Sequence, residues 1–71
     1  MATLKTFAMN VRAARKAQRL TQDELAALLN LHPNTVKGIE AGRNGIPLAK
    51  LPAFCEALGK SPNELLGYKP Q

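Results

Sequence analysis

The segment from Leu20 to Gly42 restricts the fold more than any other part of the chain, because its residues mark helix ends. Thr21 and Glu24 have the spacing of a capping box, so a helix is predicted to begin at Gln22. Apolar residues then recur at helical spacing, at Leu25, Ala26, Leu28 and Leu29. Asn30 tolerates left-handed backbone angles, and we expect it to end this short helix.

A second helix is predicted to follow a tight turn at residues 30–32. Pro33 suits its first position, where a missing N–H costs nothing, and His32 stands at the N-cap. Val36 and Ile39 form the apolar stripe that faces the helix beginning at Gln22. The polar or small residues between and before them are predicted to point outward: Asn34, Thr35, Lys37 and Gly38. A helix that exposes such groups can enter a groove of a larger molecule.

A longer amphipathic helix is predicted before this pair, from Leu4 to about Gln18. Its apolar face contains Leu4, Phe7, Ala8, Val11, Ala14 and Ala17. Its charged face contains Lys5, Arg12 and Lys16, with Arg19 just beyond the helix. We expect Lys5 and Arg19 to be solvated side chains without a further role, because charged stripes usually lie in water.

Two more helices are predicted after the linker at residues 42–46. The fourth begins near Ala49 or Lys50, because Pro52 belongs in a first turn, and it ends before Gly59. Its inward residues are predicted to be Leu48, Leu51, Phe54, Cys55 and Leu58. Ser61-Pro62-Asn63-Glu64 is a second capping box and opens a short fifth helix that ends at Gly67, followed by a tail at residues 67–71. The predicted fold is therefore all-α, a compact five-helix bundle.

The length and charge of the chain limit its classes of function. With 71 residues it is expected to form a single domain, residues 1–71. A net charge of +5 favours a polyanion or an acidic membrane surface as partner. One cysteine excludes an internal disulfide, and no apolar run is long enough to cross a bilayer, so a cytoplasmic, non-membrane protein is expected.

No catalytic constellation is visible in the sequence. We find no nucleophile with a neighbouring base, no phosphate-binding loop with its lysine and no paired carboxylates in a plausible pocket. With one histidine and one cysteine far apart, no metal set reaches three ligands. The chain is predicted to be no enzyme and to need no cofactor or metal.

The chain resembles the helix-turn-helix family of phage repressors, Cro and small bacterial regulators, over roughly residues 11–66. The residues that carry the resemblance are Leu20-Thr21-Gln22, Leu25-Ala26, Leu31, Thr35-Val36, Ile39-Glu40 and Gly42. The resemblance implies a helix-turn-helix at residues 22–41 whose second helix lies in the major groove. It also implies a homodimer that binds a near-palindromic operator in double-stranded DNA, as a repressor rather than an activator.

The resemblance and the chemistry of the side chains together predict the DNA contacts. Base reading is assigned to the outward residues of the second helix, Pro33, Asn34, Lys37 and Gly38. Asn34 can pair with adenine and Lys37 can donate to guanine, whereas Pro33 offers only apolar contact. Phosphate contacts are assigned to four residues, Thr21, Gln22, Arg43 and Asn44. Gln22 lies at a helix amino end, where free N–H groups favour an anion.

Two further roles are predicted. In members of the family an arginine on the first helix pairs with a glutamate near the end of the recognition helix, and here these are Arg15 and Glu40. The dimer contact is predicted from the apolar residues near the end of the chain, Leu65, Leu66 and Tyr68. An alternative function uses the same fold to hold a protein partner, as an adaptor or an antitoxin.

Overall fold

The computed structural model describes residues 3–68, which form five α-helices and one short 3-10 turn. The α-helices are α1 (Leu4–Ala17), α2 (Gln22–Leu29), α3 (Pro33–Glu40), α4 (Leu51–Leu58) and α5 (Pro62–Leu66), and the 3-10 turn is Leu48–Lys50. Residues 3–68 contain no strand, so the predicted all-α class with five helices is confirmed. Of the predicted tail, residues 69–71 lie outside the described residues.

Local hydrogen bonds explain why α2 begins and ends where the sequence predicts. The Thr21 hydroxyl accepts from the Glu24 amide at 3.0 Å, and the Glu24 carboxylate accepts from the Thr21 amide at 2.8 Å. Both halves of the capping box are therefore present. At the other end Asn30 has φ 56° and ψ 44°, the left-handed conformation that stops the helix.

The start of α3 also follows the prediction. Pro33 occupies its first turn, and the His32 imidazole Nδ1 accepts from the Asn34 amide at 3.0 Å. The imidazole thus replaces the usual hydroxyl cap. At the carboxyl end Gly42 has φ +76°, and the Arg43 amide donates to the Gly38 carbonyl at 3.0 Å. This turn closes α3 and directs the chain toward α4.

The core lies where all five helices meet. Its buried apolar residues are Phe7, Val11, Ala14, Leu25, Ala26, Leu29, Val36, Ile39, Phe54, Leu58 and Leu65. The rings of Phe7 and Phe54 approach with centroids 6.1 Å apart, which joins α1 to α4. Because α2 and α3 each bury one face in this shared core, their opposite faces are held toward solvent.

Four apolar residues predicted to face inward are exposed instead. Leu28 is 61% exposed and Ala17 is exposed, because both lie more than 100° around their helices from the centre of the buried stripe. Leu4 is 47% exposed since it starts α1 at the edge of the core. Leu48 is 83% exposed because it lies in the 3-10 turn, where the helical spacing that relates it to α4 is lost.

The fourth helix begins slightly later than predicted. Regular α-helical geometry starts at Leu51 rather than at Ala49 or Lys50, and the residues before it form the 3-10 turn. Pro52 lies in the first turn of α4, as its chemistry requires. The fifth helix has both halves of the Ser61–Glu64 capping box and ends at Gly67 with φ 72°.

Candidate nucleic-acid interface

The α2–α3 pair is held by a small, fully apolar contact. Ala26 is 1% exposed and Val36 is 0% exposed, so both are part of the core. Leu31, in the turn between the helices, is partly buried against the same cluster. The short side chain of Ala26 allows the two helix backbones to approach closely, so the inward face of α3 is fixed and its outward face has a defined direction.

The outward face of α3 carries polar side chains that are free to bind. Asn34 and Lys37 are exposed, while Pro33 and Thr35 are half-buried. Within residues 3–68, neither the Asn34 amide nor the Lys37 amine makes a side-chain hydrogen bond or an ion pair. Two side chains with hydrogen-bonding capacity are therefore presented to solvent without a competing partner in this part of the chain.

Gly38 differs from the prediction. It was expected on the exposed face of α3, but it is buried, because the side chain of Asn44 lies over it. A Cβ atom at residue 38 would overlap the Asn44 amide nitrogen. The backbone contributes to the same contact, since the Asn44 amide donates to the Gly38 carbonyl at 3.3 Å. Glycine at this position therefore allows the loop after α3 to fold back onto the helix.

Arg15 and Glu40 form the predicted ion pair, and its geometry is bidentate. Arg15 Nε donates to Glu40 Oε2 at 2.7 Å, and Arg15 Nη2 donates to Glu40 Oε1 at 3.0 Å. The pair is largely removed from water, with side-chain exposures of 11% for Arg15 and 3% for Glu40. Its hydrogen bonds to Glu40 raise the pKa of Arg15 above the ordinary value, so the guanidinium stays charged.

This pair also ties together three helices and the turn after α1. Arg15 Nη1 donates to the Leu20 carbonyl at 2.8 Å, which anchors the turn that leads into α2. The Gln22 side-chain amide donates to Glu40 Oε1 at 3.2 Å. The link between Gln22 and Glu40 was not predicted. Residue types alone do not indicate it, because the two residues are 18 positions apart and meet only when α2 and α3 pack.

The remaining predicted phosphate contacts lie at the two ends of the α2–α3 pair. Thr21 is exposed at the start of α2, although its hydroxyl and amide are both used in the capping box. Arg43 and Asn44 are exposed just after α3. No ion pair of Arg43 is present within residues 3–68, so its charge is available to a ligand.

The residues predicted to form a dimer contact do not share one environment. Leu65 is 1% exposed, so its predicted place in the contact is wrong: it packs into the core and its carbonyl accepts from Asn10 Nδ2 at 3.0 Å. Leu66 is half-buried and lines an apolar groove of about 440 Å³ that also contains Leu4 and Leu48. Tyr68 is 63% exposed.

Among residues 3–68, no three side chains of His, Cys, Asp or Glu come together in a way that would hold a metal ion. No helix in this part of the chain has the length and apolar character needed to cross a membrane.

The chain is similar to known helix-turn-helix proteins over most of its length. The family model described as helix-turn-helix matches residues 11–65. The restriction-modification controller protein C.AhdI from Aeromonas hydrophila is 34% identical, with a TM-score of 0.80, over 87% of this chain and 94% of that one. A hypothetical transcription factor, NHTF from Neisseria, is 30% identical with a TM-score of 0.81, over 89% and 72% of the two chains.

A third relative is a much longer protein. Hydroxypropylphosphonic acid epoxidase from S. wedmorenis is 29% identical with a TM-score of 0.85, but the match covers 92% of this chain and only 35% of the epoxidase. No curated protein matches this chain. The family match extends over most of the chain and includes both helices of the pair with their caps. The chain therefore belongs to the helix-turn-helix family of small bacterial DNA-binding regulators that includes the phage repressors and Cro.

Proposed function

We propose that this protein is a homodimeric transcriptional repressor that binds a specific, near-palindromic sequence in double-stranded DNA. The observation that carries the proposal is the outward face of α3, where Asn34 and Lys37 are exposed and free of side-chain partners within residues 3–68. In a helix-turn-helix the second helix is the one that enters the major groove. The similarity to a controller protein and to a transcription factor supports regulation of transcription.

Base recognition is proposed to come from the exposed side chains at the start and middle of α3. The Asn34 amide has the donor and acceptor arrangement that pairs with adenine N7 and N6, and the Lys37 amine can donate to guanine O6 and N7. Pro33 adds apolar contact, for instance with a thymine methyl group. Gly38 has no side chain to contribute, and Asn44 covers it. We therefore propose that, beside Gly38, it is the side-chain amide of Asn44 that contacts the DNA.

Phosphate contacts are proposed to hold α3 in the groove from both ends. Thr21 and Gln22 lie at the amino end of α2, whose free backbone N–H groups and dipole favour an anion. Arg43, exposed after α3, supplies a charge at the other end. Such contacts set the register of the protein on the duplex but carry no sequence information.

The experiment that tests this function is the selection of bound duplexes from a random DNA pool with the wild type, Asn34→Ala and Asn63→Ala. Asn63 is exposed on α5, so its variant makes the same chemical change away from α3. We expect an enriched inverted repeat for the wild type and for Asn63→Ala. Asn34→Ala should relax one position per half-site, at a cost of about 1 to 3 kcal/mol for each lost base contact.

Uniform binding of all duplexes by the wild type would contradict the proposal. Only the electrostatic attraction between a basic protein and DNA would then remain, and it would weaken steeply with salt. The use of this fold as a protein-binding adaptor or antitoxin would become the better explanation.

The dimer is proposed to use two apolar residues near α5, the half-buried Leu66 and the exposed Tyr68, together with the groove that Leu66 lines. An isologous contact requires one self-complementary patch, and Leu48 projects at the edge of this groove with 83% exposure. Sedimentation should show dimers for the wild type and a shift toward monomers for Leu48→Lys and Tyr68→Ala. Leu48→Lys leaves the core intact because the side chain is exposed, and unaltered dimers in both variants would refute this surface.

A further inference from the structure

A charged cleft beside the start of α2 contains a residue that the proposed contacts do not use. The cleft opens between α1 and α3 and has a volume of about 410 Å³. Its lining residues are Arg12, Arg15, Gln22, Lys37, Glu40 and Ala41. The prediction from sequence placed Arg12 on the charged face of the first helix and gave it no role at the interface.

The net charge of this cleft is positive, because its buried ion pair is neutral. Arg15 and Glu40 compensate each other through their bidentate contact. Three cations and one carboxylate line the cleft, so two positive charges remain, those of Arg12 and Lys37. Both side chains are exposed, and within residues 3–68 neither makes a hydrogen bond or an ion pair. The acidic residues of the first turn of α2, Asp23 and Glu24, do not line the cleft.

We infer that this cleft binds one backbone phosphate of the DNA duplex and that Arg12 is its principal cationic donor. The inference rests on the proposed function and adds a contact from α1, a helix outside the helix-turn-helix. Guanidinium groups bind phosphate through paired, charge-assisted hydrogen bonds. The first turn of α2 adds backbone N–H groups on the same side, since Gln22 lines the cleft.

Glu40 positions the polar wall of this cleft. Its Oε1 accepts from both Arg15 and Gln22, so the Gln22 side chain is held against α3 rather than free in solvent. A held amide loses less conformational entropy when it contacts a phosphate. Arg15 is neutralised by the same carboxylate and Lys37 is proposed to contact a base, so the phosphate is attracted chiefly by Arg12.

The salt dependence of DNA binding tests this inference, because each phosphate contact contributes to the slope of log K against log salt. We would measure that slope for the wild type, Arg12→Gln, Arg12→Lys and Lys16→Gln, on the selected operator and on a shuffled duplex. Lys16 is an exposed cation of α1 that does not line the cleft, so its variant removes one charge from the same helix. Thermal melts show whether each variant is folded.

Arg12→Gln is expected to reduce the slope by about 0.9 for each bound protomer, on both duplexes alike, without changing sequence preference. Arg12→Lys should keep most of the slope, and Lys16→Gln should change it little. An unchanged slope for Arg12→Gln, or an equal loss for Lys16→Gln, would overturn the inference. A wild type that binds duplexes without sequence preference would instead contradict the proposed function, while the slopes would still decide the role of Arg12.

Discussion

The helices α2 and α5 begin with the same local motif, yet their surroundings differ completely. The capping box of α2 pairs Thr21 and Glu24 at 3.0 and 2.8 Å, and that of α5 pairs Ser61 and Glu64 at 3.2 and 3.0 Å. Beside the first box, the Gln22 side chain is tied to a buried carboxylate on another helix. A capping box therefore starts a helix, but the packing of the other helices decides which side chains surround that start.

The ion pairs near these two helix starts show the same contrast. Arg15 and Glu40 meet at 2.7 Å, with side-chain exposures of 11% and 3%. Lys60 and Glu64 meet at 3.6 Å, with exposures of 42% and 56%, and they are only four residues apart. Exposed pairs of this kind contribute little to stability, whereas the loss of one partner of a buried pair leaves a charge without compensation. The Arg15–Glu40 pair connects two helices that are distant in the sequence, whereas the Lys60–Glu64 pair lies within one short segment of the chain.

The largest difference in stability between the two regions should appear when Glu40, the buried carboxylate, is changed. Glu40→Gln leaves Arg15 charged in a site that is mostly closed to water, so we expect the free energy of unfolding to fall by about 3 kcal/mol. Glu56→Gln is the matched control, because Glu56 is exposed on α4 and should change stability by less than about 0.5 kcal/mol. Thermal or urea unfolding measures both, and equal midpoints for the two variants would show that the buried pair does not stabilise the fold.

The two capping boxes can be compared directly with Thr21→Ala and Ser61→Ala. Each removes one hydroxyl cap, and each should cost about 1 kcal/mol of stability. Only Thr21→Ala is expected to weaken DNA binding, since α2 begins at the proposed phosphate site. Urea midpoints give the first quantity and titration of the selected operator gives the second. Equal losses of DNA affinity in the two variants would contradict a phosphate contact at the start of α2.

A third test concerns the contact of Gly38 with the Asn44 side chain, at the carboxyl end of α3. Gly38→Ala improves helix propensity by about 1 kcal/mol, and the Asn44 side chain, being flexible, can move aside. We therefore expect stability to be unchanged or raised by up to about 1 kcal/mol, while DNA affinity falls to that of Asn44→Ala.

The double variant separates the causes of that fall in affinity. If Gly38→Ala acts through Asn44, it should have no further effect on DNA binding in an Asn44→Ala background. A second loss in the double variant, or a lower melting temperature for Gly38→Ala alone, would contradict this explanation of the glycine.

The smallest effect is expected from pH, and it should be alike in the two regions. Hydrogen bonds from the backbone N–H and the hydroxyl of Thr21 lower the pKa of Glu24, and those from Ser61 lower the pKa of Glu64. A lowered pKa in the folded state stabilises the fold above the unfolded pKa, about 4.3, and this contribution is lost as the pH falls through the folded value. Unfolding of Glu24→Gln and Glu64→Gln should depend less on pH below about 5 than unfolding of the wild type. Parallel curves for all three proteins would contradict the role of these carboxylates.

Much of the architecture could be predicted because it depends on neighbours in the chain. The starts of α2, α3 and α5 and the left-handed stop at Asn30 are where the sequence indicates. The apolar faces were less predictable. Leu28 is 61% exposed because it points away from the buried stripe of α2, and Leu48 is 83% exposed because it lies in the 3-10 turn; a run of apolar residues does not by itself show which of them the neighbouring helices cover. Leu65 shows the reverse, since an apolar residue near the chain end is covered by α1.

For the outward face of α3, residue types and helix ends were enough to predict that Asn34 and Lys37 are exposed, because a two-turn helix with one apolar stripe must expose its other side. They were not enough to show that Asn44 covers Gly38, that Glu40 holds Gln22, or that Arg12 shares a cleft with Lys37. Capping bonds join atoms three residues apart, whereas the Glu40 contacts join residues 18 and 25 apart. Contacts of the first kind form wherever the local sequence allows them, and those of the second kind exist only after the core has brought the helices together.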